Sequence, residues 1–332
     1  MEAITLDNRL PLCVRSHYLV RVFAGMRRPP LRAVLVGALL ACAASGPVAF
    51  AQRLPARAEA PMVQIPGGPY TIGSDSGRPD ERPVHTVSLD PFWIDPYEVT
   101  NAQFVAFLEA LLVDRSRDVR LVGSAAPGTA DRRVIQSRDA VLLMEDLNAP
   151  SRRTLVALND EESRIGVKDG RLSVQPGFER HPVNEVTWEG ARQFCAWRDA
   201  RLATEAEWEA TARGREGRTY PWGHEPPTPE RAVFGRRSNE TEPVGSRPAG
   251  ATPEGVHDLA GNLAEWTSTV YRPYPYRRDA GRENPDAAGE RVTRGGDHVF
   301  DSLPDRLRAA FRAGFSRAPA VGHRHIGFRC AR

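Results

Sequence analysis

Apolar residues recur with two different periods along this chain, and the switch from one to the other marks its elements. Met62-Val-Gln-Ile65, Tyr70-Thr-Ile72 and Val84-His-Thr-Val-Ser-Leu89 follow the two-residue period of a strand, and Phe92-Trp-Ile94 continues the last. The first two flank Pro66-Gly-Gly68, a pattern that predicts a hairpin. The period then lengthens. Phe104, Phe107, Leu108, Leu111 and Leu112 line one face of a helix, and Thr100 stands ahead of Gln103 as a capping box at its start. A second helical pair is predicted from Trp188 to Arg198, carrying Phe194 and Trp197, and after the Thr204-Glu-Ala-Glu207 capping box, carrying Trp208. Tyr220-Pro-Trp-Gly223 reads as a turn.

Between Asp114 and Glu179 the periodicity lapses. Charged runs such as Arg115-Ser-Arg-Asp118 and Asp131-Arg-Arg133 predict a surface insertion, within which Arg164 to Val174 reads as a hairpin turning at Asp169-Gly170. An insertion of that length is a place for specificity. Near the start, Arg27, Arg28 and Arg32 form a basic region, Ala33 to Ala44 an apolar run, and Ala49-Phe50-Ala51 a small-x-small cleavage site. Residues 26–51 are therefore expected to be a signal peptide removed before Gln52, with residues 1–25 an over-extended start ahead of Met26. Leu39-Leu-Ala-Cys42 offers the competing reading of a lipoprotein acylated at Cys42. The apolar run is shorter than the roughly 20 residues a spanning helix needs, so the mature form is expected to lack a transmembrane segment and to be periplasmic or secreted.

Composition narrows the class. Hydrophobic residues make up 41% and charged residues 26% of the 332, which fits a globular chain, and 28 Gly with 28 Pro favour a loop-rich fold. The net charge of +3 is spread without a basic stripe, so nucleic acid is not an expected partner. Of the four cysteines, Cys13 and Cys42 fall in the segment expected to be removed. Cys195 and Cys330 remain, either paired in an oxidising compartment if the fold brings them together or left as buried thiols. His85 is read as part of a strand, because no second ligand sits two or four residues away.

The stretch Gly255-Val-His-Asp-Leu-Ala-Gly-Asn-Leu-Ala-Glu-Trp266 offers chemistry. Asp258 and Glu265 supply carboxylates, and Gly261 lets backbone carbonyls turn inward, the oxygen set a hard cation such as calcium prefers. The spacing is not that of an EF-hand, so a solvated loop remains the alternative reading. Together with Pro61-Met-Val-Gln-Ile-Pro-Gly-Gly68, the run from Pro83 to Phe104, Leu202-Ala-Thr-Glu-Ala-Glu-Trp208 and His325-Ile-Gly-Phe-Arg-Cys330, this stretch resembles the formylglycine-generating enzyme (sulfatase-modifying factor) family. The motifs occur in family order from about residue 61 to the end. The resemblance implies one mixed α+β domain over residues 52–332, of low regular content and related to C-type lectin-like architecture, with the insertion at about 114–179. It also implies a Cys195–Cys330 disulfide and a structural calcium held by Asp258, the carbonyls of Gly261 and Leu263, and Glu265. A second family calcium site looks lost, since Ala232-Val-Phe-Gly-Arg-Arg-Ser238 lacks the acidic and amide ligands.

The best-known members of that family oxidise a sulfatase cysteine with copper held by two cysteines after a Gly-Gly-Ser segment. The matching run here, Gly295-Gly-Asp-His-Val-Phe-Asp-Ser-Leu-Pro-Asp-Arg306, contains no cysteine, so the soft ligands that select Cu(I) are missing. Asp297 stands for the family Ser, Ala264 for its pocket Trp, and His325 for an Asn. Three readings follow. One is an exported oxidase with different chemistry, as in resembling sequences of pyoverdine maturation and ergothioneine synthesis, using Asp297, His298 and His325, with His323 near, to hold iron or copper. Another is a non-catalytic module that binds an envelope protein, a peptide or a small molecule such as a glycan. The third is an unchanged formylglycine-generating oxidase, against which the missing cysteines speak.

Overall fold

Strands with alternating apolar positions here pair both with sequence neighbours and across long stretches of sequence. A computed structural model describes residues 61–113, 118–123, 140–145, 152–158, 160–168, 171–238, 240–314 and 318–332. The expected signal segment with Cys42, the over-extended start and the Asp169-Gly170 turn lie outside these. β1 (Val63–Ile65) and β2 (Gly68–Ile72) do not form the predicted hairpin. Instead β2 pairs with β3 (His85–Leu89) and β1 with β4 (Phe92–Ile94), both antiparallel. The reason lies at Gly67, where a Cβ would come 2.7 Å from Pro91 Cδ. The two connections pack against each other there, so the chain turns a corner between sheets rather than folding back on itself.

α1 (Asn101–Val113) opens at the predicted box: the Thr100 N–H donates to Gln103 Oε1 at 2.9 Å, and the Gln103 N–H to Thr100 Oγ1 at 3.3 Å. Its apolar face is buried, except that Leu112 is exposed. β5 (Asp118–Gly123), β6 (Ala140–Glu145) and β7 (Arg152–Ala157) form an antiparallel sheet, and β8 (Ile165–Lys168) with β9 (Arg171–Val174) the predicted hairpin. This stretch is more than surface decoration. Leu155, Val156, Leu158, Ile165 and Leu172 are buried in the same cluster as Phe104 and Phe194. α2 (Trp188–Trp197), capped by Thr187, lies so close to β7 that a Cβ on Gly190 would stand 2.0 Å from the Leu155 carbonyl oxygen.

β10 (Arg201–Leu202) leads into α3 (Glu205–Arg213), where the Thr204–Glu207 capping box is complete. The remaining strands are β11 (Ala264–Val270), β12 (Arg291–Arg294), β13 (Arg312–Ala313), β14 (Ile326–Phe328) and β15 (Cys330–Ala331). They build two four-stranded sheets, ordered β1-β4-β15-β10 and β13-β12-β11-β14, and β14 runs parallel to β11 with Gly327 opposite Glu265. The C-terminal strands thus lie against the conspicuous 255–266 stretch. No helix among the described residues is long and apolar enough to cross a membrane. The expectation of a mixed α+β fold with few helices and small sheets is met.

Phe104, Phe107, Phe194 and Phe328 meet at centroid distances of 5.4 to 6.0 Å, and beside them Cys195 and Cys330 are bonded, S–S 2.02 Å, at zero exposure. The bridge ties α2 to β15 and closes 135 residues. On the chain-entropy account a loop of that length is stabilised by about 5 kcal/mol. The Cys195→Ala/Cys330→Ala double variant should accordingly lose several kcal/mol of unfolding free energy in urea titration. A denaturation midpoint equal to that of the parent would show that closing this loop contributes nothing.

Candidate functional site

Two loops carry the unusual chemistry, and β11 stands between them. In the first, Asp258 and Asn262 adopt left-handed φ values of 57° and Gly261 one of 82°. Gly261 is constrained twice over, because a Cβ would also lie 2.3 Å from the Val233 carbonyl oxygen. The turn feeds Glu265 into the interior, where it accepts from Arg329 Nε and Nη2, both at 2.7 Å, and from Trp208 Nε1 at 2.9 Å. The Asp258 Oδ2 accepts from the Gly245 N–H at 2.7 Å. A third carboxylate, Glu98, joins them, accepting from the Leu263 N–H at 3.1 Å and Asn262 Nδ2 at 2.7 Å. Nothing in the local pattern around Glu98 announced this partnership, because it is made across 165 residues.

The charges in this cluster do not balance. Burial, then repulsion from Asp258 and Glu265, holds the Glu98 carboxyl well above the usual carboxylate range, and burial pushes Asp258 up to about 6. Arg329 supplies the opposing charge. Glu265 Oε2 is fully engaged by two donors, whereas its Oε1 accepts one and keeps a lone pair. Asp258, Glu265 and the carbonyls around Gly261 and Leu263 therefore fit a hard cation, in charge and in donor type.

The second loop begins at Gly295 and Gly296, with φ of 96° and 67°. Asp297 is buried, and its Oδ1 accepts from the Val299 and Phe300 N–H groups at 2.8 and 2.5 Å, its Oδ2 from Asp301 at 3.2 Å. The carboxylate thus caps its own turn. His298 turns the other way, Nδ1 lying 2.7 Å from the Asn262 carbonyl. His325 packs on Phe300 and His323, with ring centroids 4.9 and 5.9 Å away. Among the described residues no three His, Cys, Asp or Glu side chains converge as a metal set. Asp297, His298 and His325 are therefore neighbours, but not the two-histidine, one-carboxylate ligand group expected from the sequence. Three backbone amides hold the acid, and a carbonyl holds one imidazole.

The same face gathers residues that the sequence did not single out. Glu185, buried at a left-handed φ of 58°, donates its N–H to the His323 carbonyl, and Glu162 pairs with Arg324 at 2.8 Å. Burial, with Asp160 and Glu162 nearby, pushes the Glu185 carboxyl up to about 8. Away from both loops, a cavity of about 560 Å³ lies between Trp188, Leu202 and Tyr276, with Arg201 paired to Glu207 at 2.6 Å and Arg192 to Glu189 at 2.8 Å. His85 is structural as expected, accepting the Tyr276 N–H at 2.8 Å.

The sulfatase-modifying factor enzyme 1-like domain matches residues 49–332. The chain belongs to that family. The formylglycine-generating enzyme of Streptomyces coelicolor is 35% identical over 319 residues, covering 88% of this chain and 96% of the relative. Serine/threonine-protein kinase Pkn1 of Chlamydia trachomatis is 36% identical over 277 residues, and the match takes in 82% of this chain but 38% of the kinase's length. The structure of PvdO from Pseudomonas aeruginosa matches with a TM-score of 0.54 at 25% identity, over 82% of this chain and 93% of that one. The loop at 295–306 contains no cysteine, and the only cysteines of residues 52–332 are joined in the disulfide.

A pH dependence follows from the buried carboxylates. Their folded-state affinities for protons are raised, so between the ordinary carboxylate range and the raised values the folded state keeps protons that the unfolded chain releases. Stability then falls as pH rises through this window. Thermal melts in a chelator should show a falling Tm from pH 5 to 8, and Glu185→Gln should flatten the part above pH 6. A Tm that climbs across the window would contradict the assignment.

Proposed function

We propose that this chain is a non-catalytic, calcium-stabilised ligand-binding member of the sulfatase-modifying factor family, exported to the cell envelope. The observation that carries the reading is the 295–306 loop: it has no thiolate, and its one well-placed acid, Asp297, is committed to three backbone amides. A metal-dependent oxidation of the family type has no protein anchor in such a loop. The fold itself does not dictate chemistry, so a scaffold that loses its metal ligands still presents a shaped surface. Export is supported by the Arg-rich start followed by an apolar run and Ala-Phe-Ala, and by a disulfide between the cysteines left after Gln52.

The oxidase reading retains one point in its favour, a buried His298 and, by way of Phe300, the ring contact of His325 with His323. Purified mature protein, supplied with copper or iron, should retain neither after dialysis, and under oxygen should leave a Cys-x-Pro-x-Arg peptide unchanged by mass. Appearance of the formylglycine product would overturn the non-catalytic reading.

When bound, calcium would neutralise the excess charge of Glu98, Asp258 and Glu265 and hold the 258–265 turn. Chelation should lower Tm, and at calcium about 100 times its dissociation constant the stabilisation is about 2.7 kcal/mol. Asp258→Asn should abolish the sensitivity. This is a cleaner variant than Glu265→Ala, which also strands the buried Arg329. Identical melts of chelated and calcium-loaded protein, with no calcium by elemental analysis, would reduce the loop to a turn.

A further inference from the structure

Three buried polar atoms on the rebuilt face have no hydrogen-bond partner among the described residues: Glu162 Oε2, Asn184 Oδ1 and His298 Nε2. Their residues are 6%, 5% and 1% exposed. Such orphaned atoms are costly in a folded interior unless a ligand satisfies them. Each can be assigned as an acceptor. Glu162 uses Oε1 for Ser238 Oγ at 2.5 Å and Arg324 Nη1 at 2.8 Å, which leaves Oε2. Asn184 donates through Nδ2 to the carbonyls of Glu162 and Arg324 at 3.2 and 3.1 Å. Flipping that amide would set its oxygen against two carbonyl oxygens, so Oδ1 is the orphan. His298 Nδ1 faces the Asn262 carbonyl, which can only accept, so the proton is on Nδ1 and Nε2 carries the lone pair. Burial lowers the basicity of this imidazole and keeps it in that neutral form.

These residues come from segments that meet around residues 323–325. Asn184 bonds the Arg324 carbonyl, Glu162 pairs with the Arg324 side chain, and the charge of Glu162 acts on His298. Phe300, next to His325, and Val321 are 54% and 51% exposed at the rim. An acceptor-only set in a negative, partly apolar setting selects a cation that brings N–H donors. A bare divalent ion fits less well, because Glu162 is the only carboxylate among the three acceptors and Arg324 already lies against it.

We infer that this junction receives the cationic tip of a lysine- or arginine-like side chain presented by a peptide, its alkyl stem lying along Phe300 and Val321. The inference rests on the non-catalytic binding reading and names the ligand class for it. Guanidinium or ammonium N–H groups would satisfy Glu162, Asn184 and His298 together, and the exposed phenyl ring would meet the stem or the charge.

Titration calorimetry with N-acetyl-arginine amide and N-acetyl-lysine amide tests it against their neutral analogues, N-acetyl-citrulline amide and N-acetyl-norleucine amide. At least one cation should bind saturably, tenfold or more tighter than its neutral analogue. Glu162→Gln and His298→Asn should each weaken it tenfold or more. The asparagine keeps a donor for the Asn262 carbonyl while removing Nε2, so its Tm should stay near the parent value. A large fall in Tm with unchanged affinity would mark these groups as structural and overturn the inference. Equal binding of charged and neutral probes, or no binding of either cation at millimolar concentration, would overturn it as well. Those outcomes leave the non-catalytic reading intact, since that reading fails if copper or iron is retained or the Cys-x-Pro-x-Arg peptide is oxidised.

Discussion

The described fold turns on one buried guanidinium. Arg329 donates Nε and Nη2 to Glu265 at 2.7 Å, Nη2 also to the His257 carbonyl at 2.8 Å, and Nη1 to the Asp95 carbonyl at 3.1 Å. Three segments distant in sequence, around Asp95, 257–265 and Arg329 itself, are thereby held at one side chain that is 1% exposed. Removing one partner of such a pair typically costs about 3–5 kcal/mol, because the other charge stays buried. Next to it, Asp95 holds Arg198 through two hydrogen bonds and accepts the Cys330 N–H, so the disulfide half on β15 is seated by the same junction. With so little regular structure, these multi-armed arginines do what longer ladders do elsewhere: they satisfy backbone carbonyls that no strand partner reaches.

Local elements were legible because local rules govern them. The capping boxes at Thr100 and Thr204, the apolar face of α1 through Phe104 and Leu108, and the Tyr220–Gly223 turn all depend on residues within a few positions of each other. The pairing of β1 with β4 was not, since period-two patterning says which face is buried and nothing about the partner strand. The insertion was underrated for a related reason. Charged runs dominate its sequence, yet a few residues such as Leu155, Val156 and Ile165 suffice to close the core.

The candidate site divides along the same line. Asp258, Gly261 and Glu265 belong to one contiguous motif and could be read directly, whereas Glu98 enters through hydrogen bonds to Asn262 and Leu263. The Cys195–Cys330 pairing was given by family resemblance, and only the structure shows why it forms, with α2 and β15 packed on one aromatic cluster. Asp297 was offered as a ligand, but sequence shows a residue's chemistry and not its occupation. A carboxylate two to four residues ahead of free amides will take them, and Val299, Phe300 and Asp301 supplied them here.

Charge balance separates the structural clusters from the others. Glu205 and Glu209 are as buried as any carboxylates in the chain, but Arg312 pairs with the first at 2.6 Å, Arg294 with the second at 2.6 Å, and Tyr274 donates to both. Arg213 also pairs with Glu209 at 3.1 Å, so two acids meet three bases and no carboxylate is left uncompensated. Around Arg329 three carboxylates share one guanidinium, and around Arg324 Glu162 and Glu185 share another. Burial makes every uncompensated carboxylate expensive, so an interior with excess negative charge must hold protons or receive cations. The balanced cluster lies under α3, while both unbalanced ones border the loops on either side of β11. That placement ties the two loops together: Glu98 fixes Asn262 in the 258–265 turn, and the Asn262 carbonyl fixes the tautomer of His298. Whatever displaces Asn262 in the first loop therefore also disturbs the acceptor geometry of the second.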